Sequence, residues 1–199
     1  MEEQEKILDF VEEKVFKDGI SRTTMGDLAA DMGISKKTIY KFFPSKDELV
    51  TAIAKRFMGR IRTNIETTLD INNNAVEKLS YLILTVGKIV SKVGDSWIKD
   101  IQKCYPNLWQ EIDSFRSKMI MENLTKVIEQ GKAEGLLEDH PTPIIMTIYL
   151  ASVQAVIQPN FVINNNFSMK EAVQHTFKII MNGILTDKGK NIFKQTVLE

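Results

Sequence analysis

Apolar residues in this chain recur at three- and four-residue intervals from one end to the other. Each run stops at a glycine, a proline or a capping residue, a pattern that a helical protein satisfies and a sheet does not. Ile7, Leu8, Val11 and Val15 make the first stripe, which Gly19 ends. Thr24 with Asp27 three residues on opens a short helix through Leu28, Ala29 and Met32, and Gly33 closes it. Ser35 caps a third helix over Lys36–Phe43, Pro44 breaks it, and Ser45 caps a fourth that runs to about Leu69. Val76 to Val90 forms a strongly apolar fifth helix, stopped by Gly94, and a short sixth runs from Asp95 to Pro106. Leu108, Ile112, Phe115, Met119 and Leu124 mark a long helix closed by Gly131 and Gly135. Two further long helices are expected over about 143–163 and, after the Ser168–Glu171 capping box, over about 168–186. Strand-like alternation and internal repeats are absent. The expectation is an all-α protein of about nine helices: a three-helix head over residues 1–50 and a helical body over 51–199.

Several classes of function fall away on composition. With 43% hydrophobic and 26% charged residues over 199 positions, the chain can bury a sizeable core. One cysteine, Cys104, excludes an internal disulfide framework and reads as a packing residue in a reducing compartment. No apolar run reaches the roughly 18–20 residues of a membrane span, and the charged start Met1–Lys6 is not a secretory leader, which points to the cytoplasm. His140 and His175 lie in different segments and form no metal-ligand set. No nucleophile–base–acid set, paired catalytic carboxylates or phosphate-cradling glycine loop stands at supporting spacing, so neither enzyme activity nor a cofactor is expected.

The formal net charge is zero, but the charge is unevenly placed. Residues 1–34 hold four Lys/Arg against nine Asp/Glu, whereas residues 35–62 hold eight against two. A local basic segment of this kind is where a phosphate partner is sought. It coincides with two short helices joined by a tight turn at Met32–Ile34, the layout in which the second helix enters a DNA major groove. On that helix Ile39 and Phe43 are four apart and face inward, leaving Lys37, Thr38, Tyr40 and Lys41 outward. Lysines supply phosphate charge, a threonine meets a base edge, and a tyrosine hydroxyl bonds a phosphate oxygen. Lys46 sits at the start of the fourth helix, whose free N–H groups already favour an anion.

The stretch from Thr24 to Leu49 closely resembles the DNA-binding signature of TetR/AcrR-type regulators, with Ala29, Gly33, Thr38, Tyr40, Phe43, Lys46 and Leu49 at the family's spacing. The Tyr105–Pro106 and Glu134–Leu136 turns are also similar to those of such bodies. The resemblance implies phosphate anchors at Thr24 and Lys46, and base or backbone contacts from Lys36, Lys37, Thr38 and Tyr40, with Lys41 adding charge. Phe42 stands where a phosphate-bonding tyrosine or histidine is common, Lys37 replaces a commonly small residue, and Gly26 offers no side chain at a position that can read a base.

For the body, the resemblance implies an inducer cavity and a dimer. Trp97, Ile101, Tyr105 and Trp109 recur at near-helical spacing around Pro106, and with Met119 and Met146 they form the expected lining for a small apolar ligand. The near-continuous apolar character of 144–163 points to a homodimer through the last two long helices, at Tyr149, Val153, Val156, Ile157, Phe177 and Ile180. Its partner would be a double-stranded, pseudo-palindromic operator, and its function that of a repressor released by the ligand. Two other readings stay open: a dimeric helical ligand-binding protein without specific DNA binding, and an activator using the same contacts.

Overall fold

The computed structural model describes residues 2–21 and 23–197. Eleven helices and no strand appear among them: α1 Glu2–Asp18, α2 Met25–Asp31, α3 Lys36–Phe42, α4 Lys46–Leu69, α5 Ala75–Val90, α6 Asp95–Cys104, α7 Pro106–Ala133, α8 Thr142–Val156, α9 Pro159–Asn164, α10 Met169–Ile184 and α11 Asp187–Val197. None is long and apolar enough to cross a membrane. The first seven follow the stops and caps in the sequence. Two differences come later. Pro159 cannot continue α8, because it lacks the N–H that a helix interior uses, and instead it opens the separate α9. The segment 143–163 is therefore two helices. The unexpected α11 begins after Thr186, whose hydroxyl accepts the Gly189 N–H at 3.2 Å.

The helices gather into two compact units. One comprises Met1–Arg60 with Lys92–Asp113, the other Ile61–Ser91 with Ser114–Glu199. The expected boundary near residue 50 thus falls within α4, and α6 with the first turns of α7 groups with the N-terminal helices.

In the first unit α1, α2, α3 and α4 close on one core containing Ile7, Val11, Leu28, Ile39, Leu49 and Ile53. Burying each such side chain stabilises the fold by about 1.5–3 kcal/mol. The α2–α3 turn needs Gly33 at φ 67°, a left-handed conformation that costs a Cβ-bearing residue energy. Both short helices are capped: the Asp27 N–H donates to the Thr24 hydroxyl at 3.1 Å, and the Thr38 N–H donates to the Ser35 hydroxyl at 3.0 Å. Each cap contributes about 1 kcal/mol, which matters for helices of seven residues.

The second unit has its own core, in which Leu79 and Ile83 of α5, Val127 and Ile128 of α7, Met146 of α8 and Phe177 of α10 are buried. Asn74–Glu77 and Ser168–Glu171 capping boxes start α5 and α10. Bonds from the Ser168 main chain and hydroxyl hold the Glu171 carboxyl below its usual range.

Candidate nucleic-acid interface

Ile39 is fully buried and Phe43 nearly so, which anchors α3 and fixes which side faces water. Lys36, Lys37, Tyr40 and Lys41 are exposed, Thr38 and Lys46 half-exposed. Phe42 is half-buried on the edge of the core, with the Lys41 ammonium 5.5 Å from its ring centre. Lys36 lies across the first turn of α2: a Cβ on Gly26 would stand 2.6 Å from its Cε and 2.9 Å from its Nζ. Gly26 is therefore the space that Lys36 occupies.

Two hydroxyls expected at the interface are already engaged. Thr24 donates its proton to Asp27 Oδ2 at 2.7 Å while accepting the Asp27 N–H. Those bonds hold the Asp27 carboxyl below its ordinary pKa. A direct phosphate bond from Thr24 must compete with its own cap. Thr38 shares a hydrogen bond with the Ser35 hydroxyl at 2.8 Å, which pins its side chain at the start of α3.

The basic segment divides into two groups. Arg56 pairs with Asp9 and Glu5 on α1, Arg60 with Glu12, and Lys55 with Glu111. Glu5, Asp9 and Glu12 of the acidic start are thus the internal counter-charge of Arg56 and Arg60. Lys36, Lys37, Lys41 and Lys46 make no ion pair among the described residues. These four stand on α3 and at the start of α4, and leave a positive surface there.

A family model of bacterial regulatory proteins of the tetR family matches residues 13–53, the span of α1 to α4 that carries this surface. Over those residues the chain is similar to the DNA-binding head of tetR-family regulators. The chain is 24% identical over 170 residues to the uncharacterized HTH-type transcriptional regulator YvaF of Bacillus subtilis (strain 168), covering 83% of this chain and 87% of that one. Its fold matches a transcriptional regulator from Cytophaga hutchinsonii ATCC 33406 at a TM-score of 0.70 and 17% identity, over 92% of this chain and 98% of the other. A second match, at 0.70 and 17% over 93% and 98%, is a transcriptional regulator from Saccharomonospora viridis in complex with choline.

The six expected ligand residues fall in different units. Trp97 and Ile101 are buried in the first unit, where the Trp97 ring lies 5.2 Å from that of Phe16 on α1. Tyr105 and Trp109 pack on the same core. The apolar stripe of α6 is thus used up by the head, and Cys104, off that stripe, is exposed rather than packed. Only Met119 and Met146 lie in the core of the body. The body also carries an open groove of about 520 Å³ along the end of α4, the start of α5 and the middle of α7. Glu66, Asp70, Lys78 and Lys126 stand on its walls, so it is not the apolar cavity expected.

The expected dimer residues are mostly turned inward in the single chain. Val153 and Phe177 are buried in the body's own core, and Tyr149, Ile157 and Ile180 pack against it; Val156 is half-buried. Burial alone pushes the Tyr149 hydroxyl up to about 12. The large apolar residues that α8 and α10 show to solvent are Ile144, Ile148 and Ile179, at 55%, 53% and 71% exposure. A helix apolar on all sides gives no sign of which stripe its own domain claims. Nothing in the sequence therefore marks Ile144, Ile148 and Ile179 as the ones turned to solvent.

Proposed function

We propose that this protein binds a pseudo-palindromic duplex as a homodimer and represses transcription until a small molecule binds its body. The observation that carries the DNA reading is the set of four lysines without ion-pair partners, flanking the exposed Tyr40 on α3 and at the start of α4. Lys37, Lys41 and Tyr40 reach the backbone of one groove, Lys36 extends from over Gly26, and Lys46 meets a phosphate at the α4 N-terminus. Thr24 and Thr38 contribute mainly by holding their helices in place.

The dimer reading moves to the outward stripes of α8 and α10. Ile144 and Ile148, one turn apart, and Ile179 leave apolar surface in water, which a second copy would cover. For the effector, Met119, Met146 and Met181 give the body's core adaptable side chains, and a neighbour of the same fold is in complex with choline, which supports the reading. We therefore keep an apolar or aromatic compound as the effector, bound within the body, acting by favouring a spacing of the heads that no longer fits the duplex.

The test is to select duplexes from a random pool with the full-length protein and to measure their binding at several salt concentrations. The expected result is an enriched pseudo-palindrome, with half-sites about one helical turn apart and affinity falling steeply with salt. Failure to enrich any sequence, with salt-independent binding, favours a ligand-binding protein without specific DNA recognition. Repression and activation separate in a reporter driven from the selected site, and effectors are sought by thermal shift followed by release from that duplex.

A further inference from the structure

The turn between α1 and α2 has two main-chain donors that no helix satisfies. Ile20 N–H and Ser21 N–H both donate to Oδ2 of Asp100 on α6, at 2.7 and 2.8 Å, across some 80 residues of chain. One carboxylate oxygen accepting two adjacent amides is a charge-assisted clamp, stronger than either neutral bond alone. Two glycines permit it. Gly19 is left-handed, at φ 84°, and a Cβ there would stand 2.7 Å from Asp100 Oδ2. Gly94, which caps α6, donates its N–H to the Phe16 carbonyl at 2.8 Å, and a Cβ on it would meet that oxygen at 2.5 Å. Trp97 and Ile101 complete the seat against α1. At the far end of α6, Tyr105 lies near Asp47, the residue after Lys46 on α4; burial first, and then the Asp47 charge, push the tyrosine hydroxyl up to about 12. The helix is therefore tied to the approach to Thr24, and its far end lies beside the start of α4.

We propose that Asp100 is a positioning residue for DNA binding: by holding the amides of Ile20 and Ser21 it fixes where α2 begins, and so how the α2–α3 pair is presented. The inference rests on the DNA-binding reading. It adds that α6, outside the helix-turn-helix, is a structural part of the DNA-reading unit. Asp100 itself need not touch the duplex. Its removal lowers affinity by letting the helix pair wander, so the number of phosphates neutralised, and with it the salt slope, stays the same.

The experiment uses the full-length protein and a fluorescein-labelled duplex selected from a random pool by the wild type. Salt-dependent wild-type binding establishes the DNA reading on its own, and its absence overturns that reading rather than the role of Asp100. Asp100→Ala is expected to bind about tenfold more weakly, the loss of hydrogen bonds to a charged acceptor, with an unchanged salt slope. Amide exchange at residues 20 and 21 should quicken. Asp100→Asn keeps one carbonyl oxygen able to accept both amides and should recover part of the affinity, a rescue that loss of charge alone would not produce, while Asp100→Leu, of similar bulk but with no acceptor, should stay as weak as Asp100→Ala. Asp100→Ala binding within twofold of wild type, or Asp100→Asn no better than Asp100→Ala, overturns the proposal. Should Asp100→Ala not fold, Gly19→Ala carries the test, since its Cβ would displace the carboxylate; unchanged affinity there also overturns it.

Discussion

α3 and α8 meet solvent in opposite ways. On α3 the side turned to the core carries Ile39 and the other side carries lysines and a tyrosine, so its outer face is content in water as a part of one chain. On α8 the inner face carries Ile145, Met146 and Val153, and the outer face carries Ile144 and Ile148. The same residue types stand on both sides. Exposed lysine loses nothing in water, whereas exposed isoleucine forgoes about 25 cal/mol for each Å² it could bury. One helix presents a face to a charged partner and the other a face that asks for apolar cover. The same contrast says where a mutation acts on folding and where it acts on assembly.

The largest expected effect breaks that contrast within α8 itself. Val153→Asp puts an unpaired carboxylate into the body's core, a change worth roughly 3–5 kcal/mol, and should melt the body in circular dichroism. Ile148→Asp, on the outer stripe, should leave the melting curve near wild type. In light scattering, however, it should shift the protein toward monomer and abolish binding to a selected duplex. If Ile148→Asp stays dimeric, or the wild type is already monomeric at micromolar concentration, the outer stripe is not the interface.

A smaller effect separates the two units by alkaline pH. Tyr149 in the body is pushed up to about 12 by burial, and Tyr105 in the head also to about 12, by burial first and then by Asp47. An unfolded tyrosine titrates near 10, so these groups stabilise the fold fully below about pH 10. That contribution is lost as pH rises towards 12, at up to about 1.4 kcal/mol per pH unit for enclosed Tyr149. Tyr149→Phe should remove that part of the alkaline loss, measured as denaturation midpoints between pH 9 and 11.5. A mutant whose midpoint falls as steeply as the wild type's would show that this hydroxyl is not what alkali attacks.

How much of this was legible follows the same division. The helix-turn-helix could be read because its signals are local: Thr24, Gly33, Ser35 and Pro44 each fix a boundary within four residues of themselves. The outward lysines could be read because charge avoids a core. The role of α6 could not. Trp97, Ile101, Tyr105 and Trp109 form a good apolar stripe, but nothing in their spacing says that Phe16, some 80 residues earlier, fills it. Nor does the sequence of α8 show which of two apolar stripes faces inward. The basic segment was half right for a related reason, since counting charge cannot reveal that Asp9, Glu5 and Glu12 answer Arg56 and Arg60.

That last division gives the smallest effect and the cleanest separation of two cations on one helix. Lys46 and Arg56 are both on α4, ten residues apart, and the sequence alone assigns both to the same basic segment. Lys46 has no ion-pair partner among the described residues, so any phosphate it meets loses a counterion to solution. Removing it should weaken binding to all duplexes alike and reduce the salt slope by about 1. Arg56 already faces Asp9 and Glu5, so a phosphate would have to displace a carboxylate rather than a free ion. Arg56→Gln should therefore leave the slope unchanged. It should lower stability by no more than about 1 kcal/mol, the ordinary worth of an ion pair at a surface that salt screens. A wild-type slope in Lys46→Ala removes Lys46 from the interface. A reduced slope in Arg56→Gln means that DNA draws Arg56 away from α1 and that the α1–α4 pairing opens on binding.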